Sequence, residues 1–397
     1  MPRPLSSPAG VRVYTVSSTL YTTVGARAGR RSGKDSPMPD YQPLARGPYP
    51  VGVRTEAWHD AEYGITYPVE IYYPATAEYA GADVDPTQQD SFENQWEPGV
   101  ILRQAAVRDA QPLTGEFPYV ITMHGWSGFR VEFTYLSTHL ASHGYLVVSP
   151  DIPGSTAGDV AAFFADPAIV GRPEALHGHV TPIRETRYLA VPFLVQTGLD
   201  RLPVKDELVG FTGPSFGGWT ALIAPRLDPR IKASVPQCPA GGNVYVEGTR
   251  QELGAIDHGC PTLMLVGSRD SMLPLFGQFE IYHDLVPGTR RMIMLLGGDH
   301  NHFGDDIEAG HEWMIGFLAQ IAEVWPTTDW DIVSRLVRPY SELAPAAPTN
   351  DLWRMAILGH FDAHLKKDPD AAAFMDDGNF TRVLESKTGL KIVTVDD

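Results

Sequence analysis

The sequence contains little cysteine and no long apolar run. Two cysteines among 397 residues, Cys238 and Cys260, exclude a disulfide framework and the clustered ligands of a structural zinc site. No stretch approaches the roughly 18 apolar residues of a membrane-spanning helix, so we expect no membrane span. The 38 glycines and 34 prolines follow no period, which excludes collagen and coiled coils. The length and the hydrophobic content of 43% predict a globular chain with one large α/β domain or two domains.

Acidic residues are absent from positions 1–34 and frequent in the rest of the chain. The formal net charge is −17, and because the first 34 residues carry +6, the remainder carries −23. With this negative charge, the chain after residue 34 repels nucleic acid and anionic lipid through its long-range electrostatic field. We therefore expect a neutral or cationic small molecule as the partner, and no nucleic acid.

A basic leader precedes this acidic body. Ala26-Arg27-Ala28 resembles a signal-peptidase site, but residues 11–24 include Arg12 and many Ser and Thr residues, and are too polar for the apolar core of a signal peptide. We therefore expect residues 1–40 to be a disordered leader. Translation from Met38 and secretion are the alternatives.

Near-continuous apolar runs recur along the chain and predict strands that are buried on both faces of a parallel sheet. They cover residues 69–73, 119–123, 145–149, 208–212, 231–235, 262–266 and 291–296. Helical segments lie between them, one at about 131–142 with Gly144 at its end, and a short helix is expected near 99–108. The alternation predicts an α/β fold with a mostly parallel, doubly wound sheet and helices on both faces. Ligands of such sheets bind beyond the carboxyl ends of the strands.

The two cysteines fall at opposite ends of two neighbouring predicted strands. Cys238 follows the strand at 231–235, whereas Cys260 precedes the strand at 262–266. A strand of this length spans about 17 Å, which is far beyond disulfide reach. Two free thiols are typical of a reducing compartment, so the expected localisation is cytoplasmic.

A G-x-S-x-G motif follows the predicted strand at 208–212. It reads Gly213-Pro214-Ser215-Phe216-Gly217 and leads into a predicted helix. A strand, a sharp turn and a helix form the context in which this motif presents a nucleophilic serine. The serine must stand on a strained turn with its Oγ clear of the backbone, and the two glycines leave room for strand and helix to approach. A buried serine that caps the helix is the alternative.

A carboxylate and a base follow two further predicted strands, in the chain order expected after a nucleophile. Asp270 follows the strand at 262–266, and His300 follows the strand at 291–296. A nucleophilic serine needs a base, and the base needs a group that orients it. We therefore predict Ser215, Asp270 and His300 as the catalytic residues. A loop-capping carboxylate and a solvated histidine are the alternative interpretations.

His302 lies two residues beyond His300 and is an alternative base or a residue of the substrate pocket. His300 is preferred because it follows directly after the glycines that end the strand. The Asp and His residues at 299–306 also suggest a metal cluster. A spacing of two residues in a loop is weak support for metal binding, and no matching ligand group precedes it. We therefore predict neither a metal nor a cofactor.

The oxyanion hole is predicted to combine two backbone N–H groups. One belongs to Phe216, directly after the nucleophile, and the other to Trp126, in the loop after the strand at 119–123. The Trp126 indole and Phe129 are expected to line the substrate pocket, with coverage of the sheet edge as the alternative for Trp126. His124 and Asp151 are interpreted as structural residues of their loops.

Together these motifs resemble those of α/β-hydrolases. The resemblance is greatest to the platelet-activating-factor acetylhydrolase-like esterases, the dienelactone-hydrolase relatives and the polyester-cleaving cutinases. Residues 68–74 and 143–151 fit the early strands of that branch, and residues 361–365 resemble its closing helix. Pro214 departs from the polar residue often found there, and dienelactone hydrolases proper have a cysteine nucleophile. The resemblance implies a serine esterase.

We predict a single domain with long insertions rather than two domains. Residues 41–370 form the predicted α/β-hydrolase domain, with a cap-like insertion at 155–206 and an excursion at 325–355 before the closing helix. Residues 75–115 form a further polar excursion, and residues 371–397 form a C-terminal extension. We expect substrate choice to depend on the excursions.

The predicted function is hydrolysis of a carboxylic ester through an acyl-enzyme intermediate. An amidase or peptidase with the same catalytic residues is the first alternative. A hydrolase-like protein that binds a ligand without turnover is the second, although such proteins usually lack one of the three residues. The motifs do not address the oligomeric state.

Overall fold

A computed structural model describes residues 41–169, 172–242, 244–245, 253–324, 328–376 and 380–396. The predicted leader, residues 1–40, lies outside the described residues. None of the described helices is both long and apolar enough to cross a membrane.

Ten of the twelve strands in the described part of the chain form one mixed sheet at its centre. The strands are β1 (Val51–Asp60), β2 (Ile65–Pro74), β3 (Ser91–Glu93), β4 (Ile101–Arg103), β5 (Val107–Arg108), β6 (Phe117–Thr122), β7 (Leu146–Pro150), β8 (Val204–Pro214), β9 (Ile231–Gln237), β10 (Thr262–Gly267), β11 (Arg290–Leu295) and β12 (Ile392–Val395). Their order in the sheet is β12-β11-β10-β9-β8-β6-β7-β2-β1-β5, and β3 and β4 form a separate pair. The six strands from β6 to β11 pair in parallel, as predicted, whereas β2 and β12 join them antiparallel.

Helices cover both faces of this sheet, as predicted. They are α1 (Thr134–Ser142), α2 (Ala157–Ala165), α3 (Pro173–Arg201), α4 (Phe216–Leu227), α5 (Leu275–Asp284), α6 (Ile307–Val324), α7 (Thr328–Leu336), α8 (Ala346–Phe361), α9 (Pro369–Asp376) and α10 (Phe380–Thr388). On one face, α1 and α8 bury Leu140 and Leu358. On the other, α3 and α4 bury Leu194 and Leu222. Because both faces are covered, the central strands β6, β7 and β10 are almost entirely buried and mostly apolar.

The predicted helix near 99–108 is wrong. This stretch contains β4, which pairs with β3, and β5, which pairs with β1. The partner of β4 is the strand just before it, whereas β5 pairs with a strand far earlier in the chain. Pairing with these strands overrides the local pattern. Strands β1 and β12 were not predicted, because each lies towards an edge of the sheet with partly exposed side chains and has no continuous apolar run.

The C-terminal residues 371–397, predicted as an extension, contribute to the sheet domain. Strand β12 pairs antiparallel with β11, where Met292 lies opposite Val395, and α10 buries Leu384 in the core. The closing helix α8 begins at Ala346, so the excursion expected at 325–355 ends about ten residues earlier than predicted.

The described part of the predicted cap, residues 155–206, consists of α2 and the long helix α3. The second half of α3 buries Val191 and Leu194 against the sheet and is therefore the crossover helix between β7 and β8. Only α2 and the first half of α3 lie near the predicted site, where the ring of Phe164 in α2 contacts Trp126 with centroids 5.7 Å apart.

Both cysteines are buried free thiols, as predicted. Cys238 follows β9 and Cys260 precedes β10, and these two strands are parallel neighbours. The two thiols therefore lie at opposite ends of the sheet.

Candidate active site

Ser215 occupies a strained turn between β8 and α4. Its backbone has φ 56° and ψ −116°, a conformation that costs a residue other than glycine about 1–3 kcal/mol. The turn is held by its surroundings, since the Ser215 N–H donates to the carbonyl of Gln237 at 2.9 Å. A side chain at Gly213 or Gly217 would place its Cβ 2.1 or 1.9 Å from the carbonyl oxygen of Met123, the residue after β6. The two glycines therefore permit the close approach of β6, β8 and α4 that forms the turn.

His300 and Asp270 meet at the carboxyl ends of β11 and β10. The Nδ1 atom of His300 lies 3.0 and 3.1 Å from the two carboxylate oxygens of Asp270. Asp270 is buried, and its carboxylate also accepts hydrogen bonds from the N–H groups of Met272 and Leu273 at 2.9 and 2.7 Å. Asp270 therefore fixes the imidazole through one nitrogen and leaves Nε2 as the ring atom for other contacts.

Asp270 and Cys238 both raise the pKa of His300. Burial lowers this pKa, but the negative charge of Asp270, followed by the contact with Cys238, outweighs burial and holds the pKa well above its ordinary value. His300 and Ser215 both line one cleft. This arrangement allows a proton from the serine to be accepted by a histidine whose positive form is stabilised by Asp270.

Asp299 links the strand ends that carry Asp270 and His300, and this role was not predicted. Its carboxylate accepts hydrogen bonds from the N–H and hydroxyl groups of Ser271, each at 2.8 Å, and from the N–H of His300 at 2.6 Å. The residue is fully buried, and burial followed by the charge of Asp270 raises its pKa. Asp299 thus joins the loop after β10 to the loop after β11. Its position directly before His300 gave a sequence signal, which was interpreted only as part of a metal cluster.

His302 lies away from the cleft, so its predicted place in the substrate pocket is wrong. The His302 N–H donates to the carbonyl of Asp299 at 3.0 Å and closes a turn. The ring is fully buried, with Nδ1 accepting from the Asp299 N–H at 3.0 Å and Nε2 lying 2.9 Å from the Ala344 carbonyl. Burial lowers the pKa of His302 to about 4, so it is neutral at physiological pH.

One group of potential metal ligands lies at the site. Among the described residues, Cys238, Asp270 and His300 place their ligand atoms within 4.8 Å of one another. The cluster suggested by the sequence at 299–306 does not form. Burial raises the pKa of the Cys238 thiol, so a metal at this position would have to displace its proton. Because His300 already uses Nδ1 to bind Asp270, the contacts favour a positioned base over a metal ligand.

The cleft beside Ser215 and His300 is mostly apolar and has a volume of about 120 Å³. Its large apolar side chains are Trp96, Trp126, Phe133, Met272, Phe303, Trp313, Met314, Phe317 and Leu318. Its ionisable groups are those of Glu132, His300 and Asp306, and none of the described lining residues is Lys or Arg. Burial raises the pKa of Glu132 to about 8, so this carboxyl group is neutral at pH 7.

Trp96 forms a wall of the cleft and comes from the excursion at 75–115. Its indole Nε1–H donates to the carbonyl of Ser127 at 2.7 Å, and its ring stacks on Trp313 with centroids 5.4 Å apart. Phe129, predicted as a pocket residue, lies edge-on behind Trp96 at 5.3 Å and lines a smaller neighbouring cavity. Sequence reasoning missed Trp96 and Trp313 because neither follows the end of a predicted strand.

The two predicted oxyanion donors lie in the loops that flank the nucleophile. A Cβ added at Gly125 would lie 3.8 Å from Ser215 Oγ, so the loop that continues to Trp126 passes directly over the serine. Trp126 lines the cleft. Phe216 begins α4, and the first N–H groups of a helix have no acceptor within it. The Phe216 side chain itself is buried.

A serine on a strand-to-helix turn, with an aspartate and a histidine at neighbouring ends of a mostly parallel sheet, defines the α/β-hydrolase fold. Residues 105–280 match the model of the Dienelactone hydrolase family, which confirms the resemblance to dienelactone-hydrolase relatives. This match supports the predicted carboxylic ester hydrolase.

A solved structure with a similar fold is a ferulic acid esterase from Streptomyces cinnamoneus. It is 20% identical to this chain, with a TM-score of 0.52, and the match covers 81% of this chain and 92% of the esterase. No curated protein sequence matches the chain.

Proposed function

We propose that this protein hydrolyses carboxylic esters through a covalent acyl-enzyme, with Ser215, His300 and Asp270 as catalytic residues. The observation that carries the proposal is the contact of His300 Nδ1 with both oxygens of Asp270, in a cleft that Ser215 also lines. A nucleophile, a base and a group that orients the base are the minimum set for acyl transfer.

The proposed reaction gives each of these groups one role. Ser215 Oγ attacks the ester carbonyl and passes its proton to His300 Nε2, while Asp270 stabilises the resulting imidazolium. The N–H groups of Phe216 and Trp126 bind the oxyanion of the tetrahedral intermediate. His300 then returns the proton to the leaving alcohol, and a water molecule activated by the same histidine hydrolyses the acyl-enzyme.

The cleft favours neutral substrates with an apolar or aromatic group. Rings of Trp96, Trp126 and Trp313 line it, no described Lys or Arg does, and Glu132 is neutral at pH 7. Pockets for drug-sized ligands occupy roughly 300–1,000 Å³, whereas this cleft has about 120 Å³. A short acyl chain or a single aromatic ring therefore fits it better than a long lipid chain. Because a solved structure of similar fold is a ferulic acid esterase, aromatic esters are the first substrates to test.

A hydrolysis panel tests the proposal and separates it from its alternatives. It compares p-nitrophenyl acetate, methyl esters of aromatic acids, a long-chain ester and matched anilides, each with and without a chelator. We expect turnover of the short and aromatic esters, slow or no turnover of anilides, and no effect of the chelator. Preference for the anilides would favour an amidase. An absence of turnover throughout would favour a binding protein, and loss of activity with chelator would favour a metal held by Cys238, Asp270 and His300.

A further inference from the structure

Arg187 is a buried cation that has no carboxylate partner among the described residues, and it lies behind the cleft. The residue is on α3 and is 0% exposed. Burial alone shifts its pKa, lowering it to about 9, and no described carboxylate forms an ion pair with it. Its Nε also has no hydrogen-bond partner among the described residues. An unpaired buried charge reduces stability. Stability therefore does not explain why an arginine lies at this position.

The guanidinium group joins the two segments that carry the proposed oxyanion donors. One terminal nitrogen, Nη2, donates to the Gly125 carbonyl at 3.3 Å. This carbonyl and the Trp126 N–H belong to the same peptide group. The other, Nη1, donates to the Thr220 hydroxyl in α4 at 3.3 Å. The guanidinium carbon also lies 4.4 Å from the ring centroid of Phe216, the residue with the second donor. Arg187 therefore contacts both halves of the proposed oxyanion hole from behind.

Two further donors converge on the Gly125 carbonyl. The N–H of Ile152 donates to His124 Nε2 at 2.9 Å, which places the ring proton on Nδ1, and Nδ1 lies 2.7 Å from the Gly125 oxygen. Burial and the charge of Arg187 lower the pKa of His124 to about 3, so the ring is neutral. The Ser155 hydroxyl donates to the same oxygen at 3.3 Å and accepts from Arg187 at 2.9 Å.

We infer that Arg187 is a positioning residue of the oxyanion hole: it holds the peptide between Gly125 and Trp126 with its N–H towards the oxyanion and strengthens that N–H as a donor. Hydrogen bonds polarise one another along a chain, and donation to a carbonyl increases the partial positive charge on the N–H of the same peptide. The buried cation also favours negative charge in front of it, since the surroundings screen it weakly. The inference rests on the proposed function, which assigns an oxyanion to this cleft.

The test compares Arg187→Met with wild-type protein, and uses Arg184→Met on the same helix as the control. Methionine keeps the contact with Phe216 but removes the charge and all three donated hydrogen bonds. Because loss of one oxyanion donor costs about 10²–10³ in rate and Arg187 acts through such a donor, we expect kcat to fall about 10- to 100-fold with little change in KM. Affinity for a trifluoromethyl ketone, which forms the tetrahedral oxyanion, should fall by the same factor. Arg184→Met should behave as wild type.

Thermal unfolding separates this role from a structural one. Because Arg187→Met removes an unpaired buried charge, its Tm should equal or exceed that of wild type while kcat falls. An unchanged kcat, or a fall in kcat that follows a fall in Tm, overturns the inference. If this variant does not fold, Ser155→Ala removes one donor to the Gly125 carbonyl and leaves Arg187 in place. A fall in kcat at constant KM supports the inference there, and an unchanged kcat overturns it.

Labelling by a fluorophosphonate distinguishes failure of this inference from failure of the proposed function. Wild-type protein that is not labelled contradicts the serine hydrolase itself. Wild-type protein that is labelled, with Arg187→Met labelled at the same rate, contradicts only the role of Arg187.

Discussion

The imidazole of His300 contacts Asp270 through a single nitrogen, Nδ1, which lies 3.0 and 3.1 Å from the two carboxylate oxygens. The side chain of Asp270 is 1% exposed and that of His300 is 14% exposed, so water screens the pair weakly. Both the orientation and the basicity of the histidine therefore depend on this carboxylate.

Replacement of Asp270 by Asn should lower activity and shift its pH dependence. The carboxylate raises the pKa of His300, and the base must be neutral to act, so the acidic limb of the kcat/KM profile should move to lower pH in Asp270→Asn. The plateau should fall by about 10³–10⁴, since the amide supports the wrong tautomer of the ring. Rate profiles between pH 4 and 9 measure both effects, and an acidic limb that stays in place contradicts the assignment of Asp270.

The two neighbouring histidines should respond differently to substitution. His300→Ala should lose at least about 10³-fold in kcat, because the ring acts in the reaction. His302→Ala should keep most of its kcat but lose about 1–3 kcal/mol in the free energy of unfolding, since it leaves the Asp299 N–H and the Ala344 carbonyl unpaired. Kinetics and urea unfolding of both variants check this, and the reverse pattern would transfer the base to His302.

Trp96 should determine preference among esters. Trp96→Ala removes the stack on Trp313 and the hydrogen bond to Ser127. We expect kcat/KM for aromatic esters to fall about 3- to 10-fold, as expected for loss of an aromatic contact, with a smaller effect on acetate esters. Tyr63→Ala, at a side chain that is 52% exposed, is the matched control. Equal losses on both ester classes would show that Trp96 does not contact the substrate.

Glu132 should produce an alkaline limb in the rate profile. Burial raises its pKa to about 8, so the carboxyl group is neutral at pH 7 and becomes negative above pH 8. A negative charge lining the cleft opposes the developing oxyanion, so kcat/KM should decline above about pH 8. Glu132→Gln cannot ionise and should remain active at pH 9. A decline that persists in this variant assigns the limb to another group.

The sequence was most informative where chemistry depends on local spacing. Ser215, Asp270 and His300 each follow a buried strand. Because β8 to β11 are parallel neighbours, the ends of these strands lie at one edge of the sheet. This is why strand positions and strand-end residues could be predicted together. Strand β12 could not, since its short sequence is a strand only because β11 offers it an open edge.

The residues that the sequence did not indicate are those placed by long-range packing. Trp96 reaches the cleft from a polar excursion, and Arg187 reaches the proposed oxyanion hole from the crossover helix. Neither has a periodic or motif signal. His302 was assigned to the pocket because it is close to His300 in sequence, whereas the turn closed by its own N–H points it into the core.

The most direct test of the proposed mechanism is covalent labelling of the folded protein by a fluorophosphonate, followed by peptide mass spectrometry. We predict a single adduct on Ser215 and none in Ser215→Ala, with Tm unchanged in that variant. An unlabelled wild-type protein, or an adduct on another residue, would contradict the assignment of Ser215 as the nucleophile.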